Sequence, residues 1–119
     1  MAYDQNNIFA MILRGDIPCD KVYEDEFALS FKDINPQAPV HTLVIPKGEF
    51  LSMADFTSNA SAELVAGFFR AVGETARKLN LEEDGYRLIA NTGDNAHQEV
   101  PHLHFHILSG KKLGPMLSM

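Results

Sequence analysis

Apolar residues recur along this chain with two different periods, and each period predicts a kind of element. Residues 7–14 place Ile8, Phe9, Ile12 and Leu13 at helical spacing, with Asn6 or Asn7 able to cap the start and Gly15 able to end the turn. Ile17-Pro18-Cys19 reads as a connector. Lys21–Glu24, a turn at Asp25-Glu26, and Phe27–Lys32 read as a hairpin in which Phe27, Leu29 and Phe31 share one face. Asp33–Pro39 holds two prolines and must be a loop; it delivers His41 to the start of a third strand, Thr42–Ile45, which Pro46-Lys47-Gly48 stops.

Residues 49–60 are mixed, with a short helical turn expected near 52–56. Leu64, Val65, Phe68, Val72, Ala76 and Leu79 recur every three or four residues, so a long helix is expected from Ser61 to Leu79, capped by Ser61 or Asn59. Gly67 and Gly73 weaken it, and the simplest reason for keeping them is close approach to the sheet. Leu81–Gly85 is a polar turn, Tyr86–Ala90 a fourth strand, and Asn91–Glu99 a loop of turn formers. Val100–Leu108 is expected to be a fifth strand, and the tail from Ser109 to Met119 shows no periodicity. Short strands with one long helix predict an α+β fold on an antiparallel sheet. One domain spans residues 1–119, with its core at about 7–110 and a tail at 111–119.

Composition narrows the function classes. The net charge is -6, and the only basic cluster is Lys111-Lys112, which argues against a nucleic acid polymer as partner. No segment approaches the length of apolar sequence needed to cross a bilayer, and the N-terminal residues do not resemble a secretory signal, so no membrane partner is expected. Cys19 is the single cysteine, which fits a reducing cytoplasm.

The fifth strand carries the chemistry. His102-Leu103-His104-Phe105-His106-Ile107-Leu108 alternates strictly, so three of the five histidines would line one face while Leu103, Phe105 and Ile107 enter the core. Buried imidazoles cost free energy unless they find partners, which makes a purely structural row a poor explanation. Two functional readings remain. One is a Zn or Cu site, with Glu99 as the nearby carboxylate. The other is metal-free chemistry, with one imidazole as nucleophile and its neighbours setting its tautomer. The lone Cys19 weakens a structural zinc site and tilts the balance to the second. The Gly-containing stretch Asn91–Asn95 can donate amides to a phosphate or can be a plain turn. Asp33 can hold a ribose diol or cap a turn.

Three segments together carry a resemblance: His102–Leu108, the stretch Phe31–Lys47, and the run from Ile8 to Pro18. The chain resembles the histidine triad family, in particular its Hint branch of purine nucleoside phosphoramidases, over roughly residues 7–116. The resemblance implies a five-stranded antiparallel sheet with one long and one short helix. It implies a homodimer in which the long helix and fourth strand join two sheets into a continuous ten-stranded one. It implies a nucleotide hydrolase that needs no cofactor and no metal. His104 would attack the α-phosphorus of a purine nucleotide, and water would release a nucleoside monophosphate from the covalent nucleotidyl-histidine. His102 and His106 would orient His104 and contact the phosphate, with His41 completing the cluster. Asp33 would hold the ribose, Asn91 the phosphate, and Phe9, Ile12, Phe31 and Ile34 the base. Glu99 departs from members that carry serine there, a residue thought to serve the phosphate or leaving group; Glu99 would point away or meet the leaving amine. His97 has no counterpart in that pattern. A metalloprotein using the same histidines and a nucleotide-binding scaffold without turnover are the alternatives.

Overall fold

Two helix caps frame the first element. The Asn7 side chain accepts the Ala10 amide, and Gly15, at φ 83°, turns the chain out of helix α1 (Ile8–Arg14). The structure, a computed structural model, describes residues 2–117. Asp25 accepts the amides of Phe27 and Ala28 at 2.8 and 3.0 Å, closing the hairpin of β1 (Lys21–Glu24) and β2 (Ala28–Lys32). A register shift between Lys21 and Tyr23 bends β1. β2 pairs with β3 (Val40–Pro46), β3 with β5 (Phe105–Ser109), and β5 with β4 (Arg87–Ile89), each antiparallel. The sheet order is β1-β2-β3-β5-β4, so the fold is α+β as expected.

Both faces of the sheet are covered. α3 (Ala62–Lys78), capped by Ser61, lays Phe68, Ala71 and Val72 against Ala28, Val44, Leu103 and Ile107. Buried Thr75 on α3 donates to Ser30 on β2 at 3.0 Å, tying helix to sheet through a satisfied polar pair. On the other face Phe9 of α1 packs with Leu29, Phe31, Leu43 and Ile45. β3 is therefore buried almost throughout, its polar His41 and Thr42 included. The alternation of β5 sends Ile107 into the α3-side core, where Phe105 also packs, and leaves His104 and His106 to the α1 side.

Four expectations need correction. The turn near 52–56 is a full helix, α2 (Met53–Asn59), capped by Ser52, so short helices stand beside the long one both before and after β3. The fifth strand begins at Phe105, not Val100, because the preceding backbone leaves the ladder: the Leu103 amide bonds the Phe50 carbonyl and the His102 amide the Val100 carbonyl. Phe27 lies ahead of β2 and rests on α3 rather than sharing the face of Leu29 and Phe31; a Cβ at Gly67 would overlap its ring. Gly67 is thus a close-approach glycine, whereas a Cβ at Gly73 would meet nothing within 4 Å. Six residues turn a helix by about 600°, so the two glycines cannot share a face. Among the described residues, no helix is long and apolar enough to cross a membrane.

Candidate active site

The α1 face opens into a cleft of about 540 Å³ between α1, the loop after β2 and the loop after β4. Phe9, Ile12, Phe31 and Ile34 supply apolar walls, and Asp33, Asn91 and Glu99 the polar rim. His41, His104 and His106 close the floor. Phe9 and Phe31 belong to the core and pack edge to face at 5.6 Å, while Ile34 stands 85% exposed on its loop. The sequence therefore brought together every proposed site residue except one.

The exception is His102. It is fully buried and does not line the cleft. Its Nε2 lies 3.2 Å from the Pro46 carbonyl, which can only accept, so Nε2 carries the proton and donates. Its Nδ1 is then an acceptor and takes the Tyr3 hydroxyl at 2.6 Å. The expectation that its imidazole contacts a phosphate fails because His102 sits in a bend ahead of β5, outside the alternation of the strand. What it offers the cleft is its carbonyl, which accepts from His104 Nδ1 at 2.7 Å.

The remaining tautomers follow from that same rule. His104 donates through Nδ1, so its Nε2 keeps a lone pair. The Gln37 amide donates to His41 Nδ1 at 2.9 Å. His41 must therefore be protonated at Nε2, which lies 2.8 Å from His106 Nδ1 and 3.3 Å from Asp33 Oδ2. His106 accepts at Nδ1 and carries its proton on Nε2. His41 is neutral in this arrangement, so its contact with Asp33 is a shared hydrogen bond rather than an ion pair. Among the described residues no buried side-chain nitrogen or oxygen lacks a partner, so the Nε2 atoms of His104 and His106, which carry no hydrogen bond, are the ones open to the cleft. One presents a lone pair and the other an N–H.

Burial keeps all four imidazoles neutral. It pushes His102 down to about 4, against the pull of the Pro46 carbonyl. It pushes His106 down to about 4 as well, helped by neighbouring His104 and His41. His104 and His41 shift downward for the same reason, with Asp33 acting against the shift in both and Glu99 also in His104. The His104 and His106 rings lie 5.0 Å apart, and Phe9 meets the His104 ring edge at 4.9 Å.

The loop after β4 is held by its own bonds. Gly93 takes φ 74° and ψ -172°, a region essentially restricted to glycine. Its amide goes to the Gln98 side chain at 3.0 Å, and the same side chain donates to the Leu51 and Val100 carbonyls. The amides of Ala96, His97 and Gln98 also bond within the loop, around a 3-10 turn at Asp94–Ala96. Within the stretch Asn91–Asn95 the Gly93 amide is thus taken by Gln98 and is not free for a phosphate. The loop brings Asn91 and Glu99 to the cleft, and Glu99 meets His97 Nε2 at 2.9 Å on the exposed rim.

Sequence reasoning missed Tyr3, Gln37, Gln98 and the cleft-lining role of Ile17, Pro18 and Cys19. Only the connector residues had a local signal, their position next to α1. The metal question also changes shape. Asp33, His41 and His106, not the three alternating histidines, hold donor atoms within 4.8 Å of one another. Two imidazoles and a carboxylate suit zinc, but an ion would have to displace the proton between His41 and His106.

Known proteins resemble this chain in sequence and in fold. A HIT domain family model matches residues 14–113. A 13.2 kDa HIT-like protein of Azospirillum brasilense is 59% identical over 116 residues, covering 98% of this chain and 95% of that one. The purine nucleoside phosphoramidase of Escherichia coli K12 is 40% identical over 114 residues, covering 96% and 95%. A HIT family hydrolase from Clostridium thermocellum superposes with a TM-score of 0.87 at 38% identity, covering 97% of this chain and 99% of that structure. With its family model, its relatives and its sheet in agreement, this chain belongs to the HIT domain family.

Proposed function

We propose that the protein is a nucleotide hydrolase that cleaves purine nucleoside phosphoramidates, or related adenylyl conjugates, at the α-phosphorus. The observation that carries this reading is the lock on His104: the His102 carbonyl holds its Nδ1–H, so the opposite nitrogen faces the cleft as a neutral nucleophile. The phosphoramidase name of the Escherichia coli relative and the hydrolase name of the Clostridium thermocellum structure support it.

In this mechanism His104 Nε2 bonds to phosphorus as the phosphorus–nitrogen bond breaks, and the departing nitrogen takes a proton from solvent in the open cleft to leave as an amine. Water then attacks the phosphorus and gives up a proton to solvent as the bond to His104 breaks, returning neutral His104 and a nucleoside monophosphate. His106 Nε2–H is placed to donate to the phosphoryl group or the leaving nitrogen. Its tautomer is set by His41, and that of His41 by the Gln37 amide. Asp33 holds the ribose hydroxyls, and Asn91 reaches the phosphate. A purine base fits between Phe9, Ile12 and Phe31 and covers the exposed Ile34. The reaction belongs to the cytoplasm, consistent with the single Cys19.

The active unit in this proposal is a homodimer. β4 is an edge strand with an open ladder, and Leu88 on it and Phe69 on α3 are exposed. Pairing β4 with its copy would extend five strands to ten. Sedimentation of the purified protein tests this point.

Incubating adenosine 5'-phosphoramidate with the protein and no added metal should yield AMP, and rapid quenching should trap an AMP adduct on His104. Full activity in His104→Ala would refute the mechanism, and tight AMP binding without any turnover would favour a scaffold. A second reading rests on the Asp33, His41 and His106 donor set. Elemental analysis showing about one zinc per chain, with activity lost to a chelator, would favour it.

A further inference from the structure

Tyr3 lies outside every element that builds the cleft, in the segment ahead of α1. That segment is pinned. Asp4 accepts the Asn7 side chain through its carbonyl at 2.7 Å and the Asn6 amide through its carboxylate at 2.9 Å. Arg14 donates to the Gln5 carbonyl at 2.6 Å, and Gln5 reaches Glu49 at 3.3 Å. The result is a fixed turn that carries a phenol to a fully buried imidazole 99 residues away in sequence.

The direction of the phenol's bond is forced. The Pro46 carbonyl claims the proton on His102 Nε2, so Nδ1 can only accept, and Tyr3 must donate. The Tyr3 ring also meets the His102 ring edge to face at 5.7 Å. His102 is thus held at both ring nitrogens, and the next peptide is held by the Leu103 amide on the Phe50 carbonyl. The Leu103 amide and the His102 carbonyl belong to one planar peptide, so the Phe50 bond sets the line of that carbonyl while the two ring bonds hold the Cα it hangs from; together they point it at His104 Nδ1.

We infer that Tyr3 is a positioning residue for His104, acting through the His102 ring and carbonyl; this rests on His104 being the nucleophile. Without the hydroxyl, His102 Nδ1 becomes an unpaired acceptor in a dry site. The ring then turns or takes another partner and shifts the His102 Cα, and the carbonyl that sets the His104 tautomer is displaced along the line held by the Phe50 bond. A displaced nucleophile slows the chemical step while leaving ribose and base contacts intact, so the loss falls on kcat rather than KM.

Tyr3→Phe tests the hydroxyl alone, and Gln5→Ala removes only the exposed contact to Glu49, leaving the Arg14 bond to the residue 5 carbonyl and the turn in place. Tyr3→Phe should lower kcat on adenosine 5'-phosphoramidate about 10-fold with KM within about 2-fold, while Gln5→Ala keeps the wild-type kcat. Ring nitrogen spectra should show the His102 Nδ1 and His104 Nδ1–H signals shifted in Tyr3→Phe. A wild-type kcat in Tyr3→Phe, an unmoved His104 Nδ1–H signal, or an equal loss in Gln5→Ala overturns the inference. The spectra need no substrate. An inactive wild type or a fully active His104→Ala defeats the hydrolase reading instead, and the His104 signal then decides by itself whether Tyr3 controls that ring.

Discussion

His104 and His102, two residues apart, are joined not ring to ring but ring to backbone: the Nδ1–H of the first donates to the carbonyl of the second at 2.7 Å. This bond separates their roles. His102 is a buried support with both ring nitrogens occupied, and His104 faces the cleft with one nitrogen open.

Removing that open nitrogen should remove the reaction. His104→Ala is expected to lower kcat by at least about 1,000-fold while nucleoside monophosphate still binds, since base and ribose contacts persist. Steady-state kinetics with calorimetric AMP titration checks both halves.

Asp33 should act on binding. In Asp33→Asn the KM for ribonucleoside substrates is expected to rise about 10-fold, from loss of a charge-assisted hydrogen bond. The measurement is the ratio of KM values for ribose and 2',3'-dideoxyribose substrates, which should collapse toward one in the variant.

Acid should weaken the fold through His102. Its folded pKa of about 4 lies below its ordinary value of 6.5, so between these pH values the unfolded chain binds the extra proton. Stability from this group is complete above pH 6.5, falls as pH drops toward 4, and levels off below it. The loss amounts to about 3 kcal/mol for a fully buried ring. Burial moves His106 in the same direction. Urea denaturation at pH 7 and at pH 4.5 reads the difference. The same downward shift in His104 keeps its nucleophilic form populated at neutral pH, so kcat/KM should be flat there and fall only in acid, below the ordinary histidine range.

The two helix glycines should respond in opposite ways. Gly67→Ala forces a Cβ into the Phe27 ring and is expected to cost about 1–3 kcal/mol. Gly73→Ala meets nothing and should stabilise α3 by about 0.5–1 kcal/mol. Thermal melts of the two variants compare them directly.

Hydrophobic period determined the elements of this protein, because burial of an apolar face is a local demand that each segment states for itself. The alternation through Leu103, Phe105 and Ile107 placed these residues on the α3 side and His104 and His106 opposite them. The helical spacing from Leu64 to Ala76 placed α3. The family motif located Asp33, His41 and Asn91 at the same cleft. Tertiary structure alone decided which ring nitrogens carry protons. Each tautomer depends on a partner chosen by packing: Pro46 and Tyr3 for His102, the Gln37 amide for His41, and His41 for His106. Hydrogen bonds between residues 56, 65 and 99 positions apart have no periodic signature, since their formation depends on where the finished fold leaves a donor facing an acceptor. For the same reason the histidine row, uniform in sequence, became one buried support and two cleft residues once the chain at Leu103 bonded Phe50 instead of its neighbouring strand.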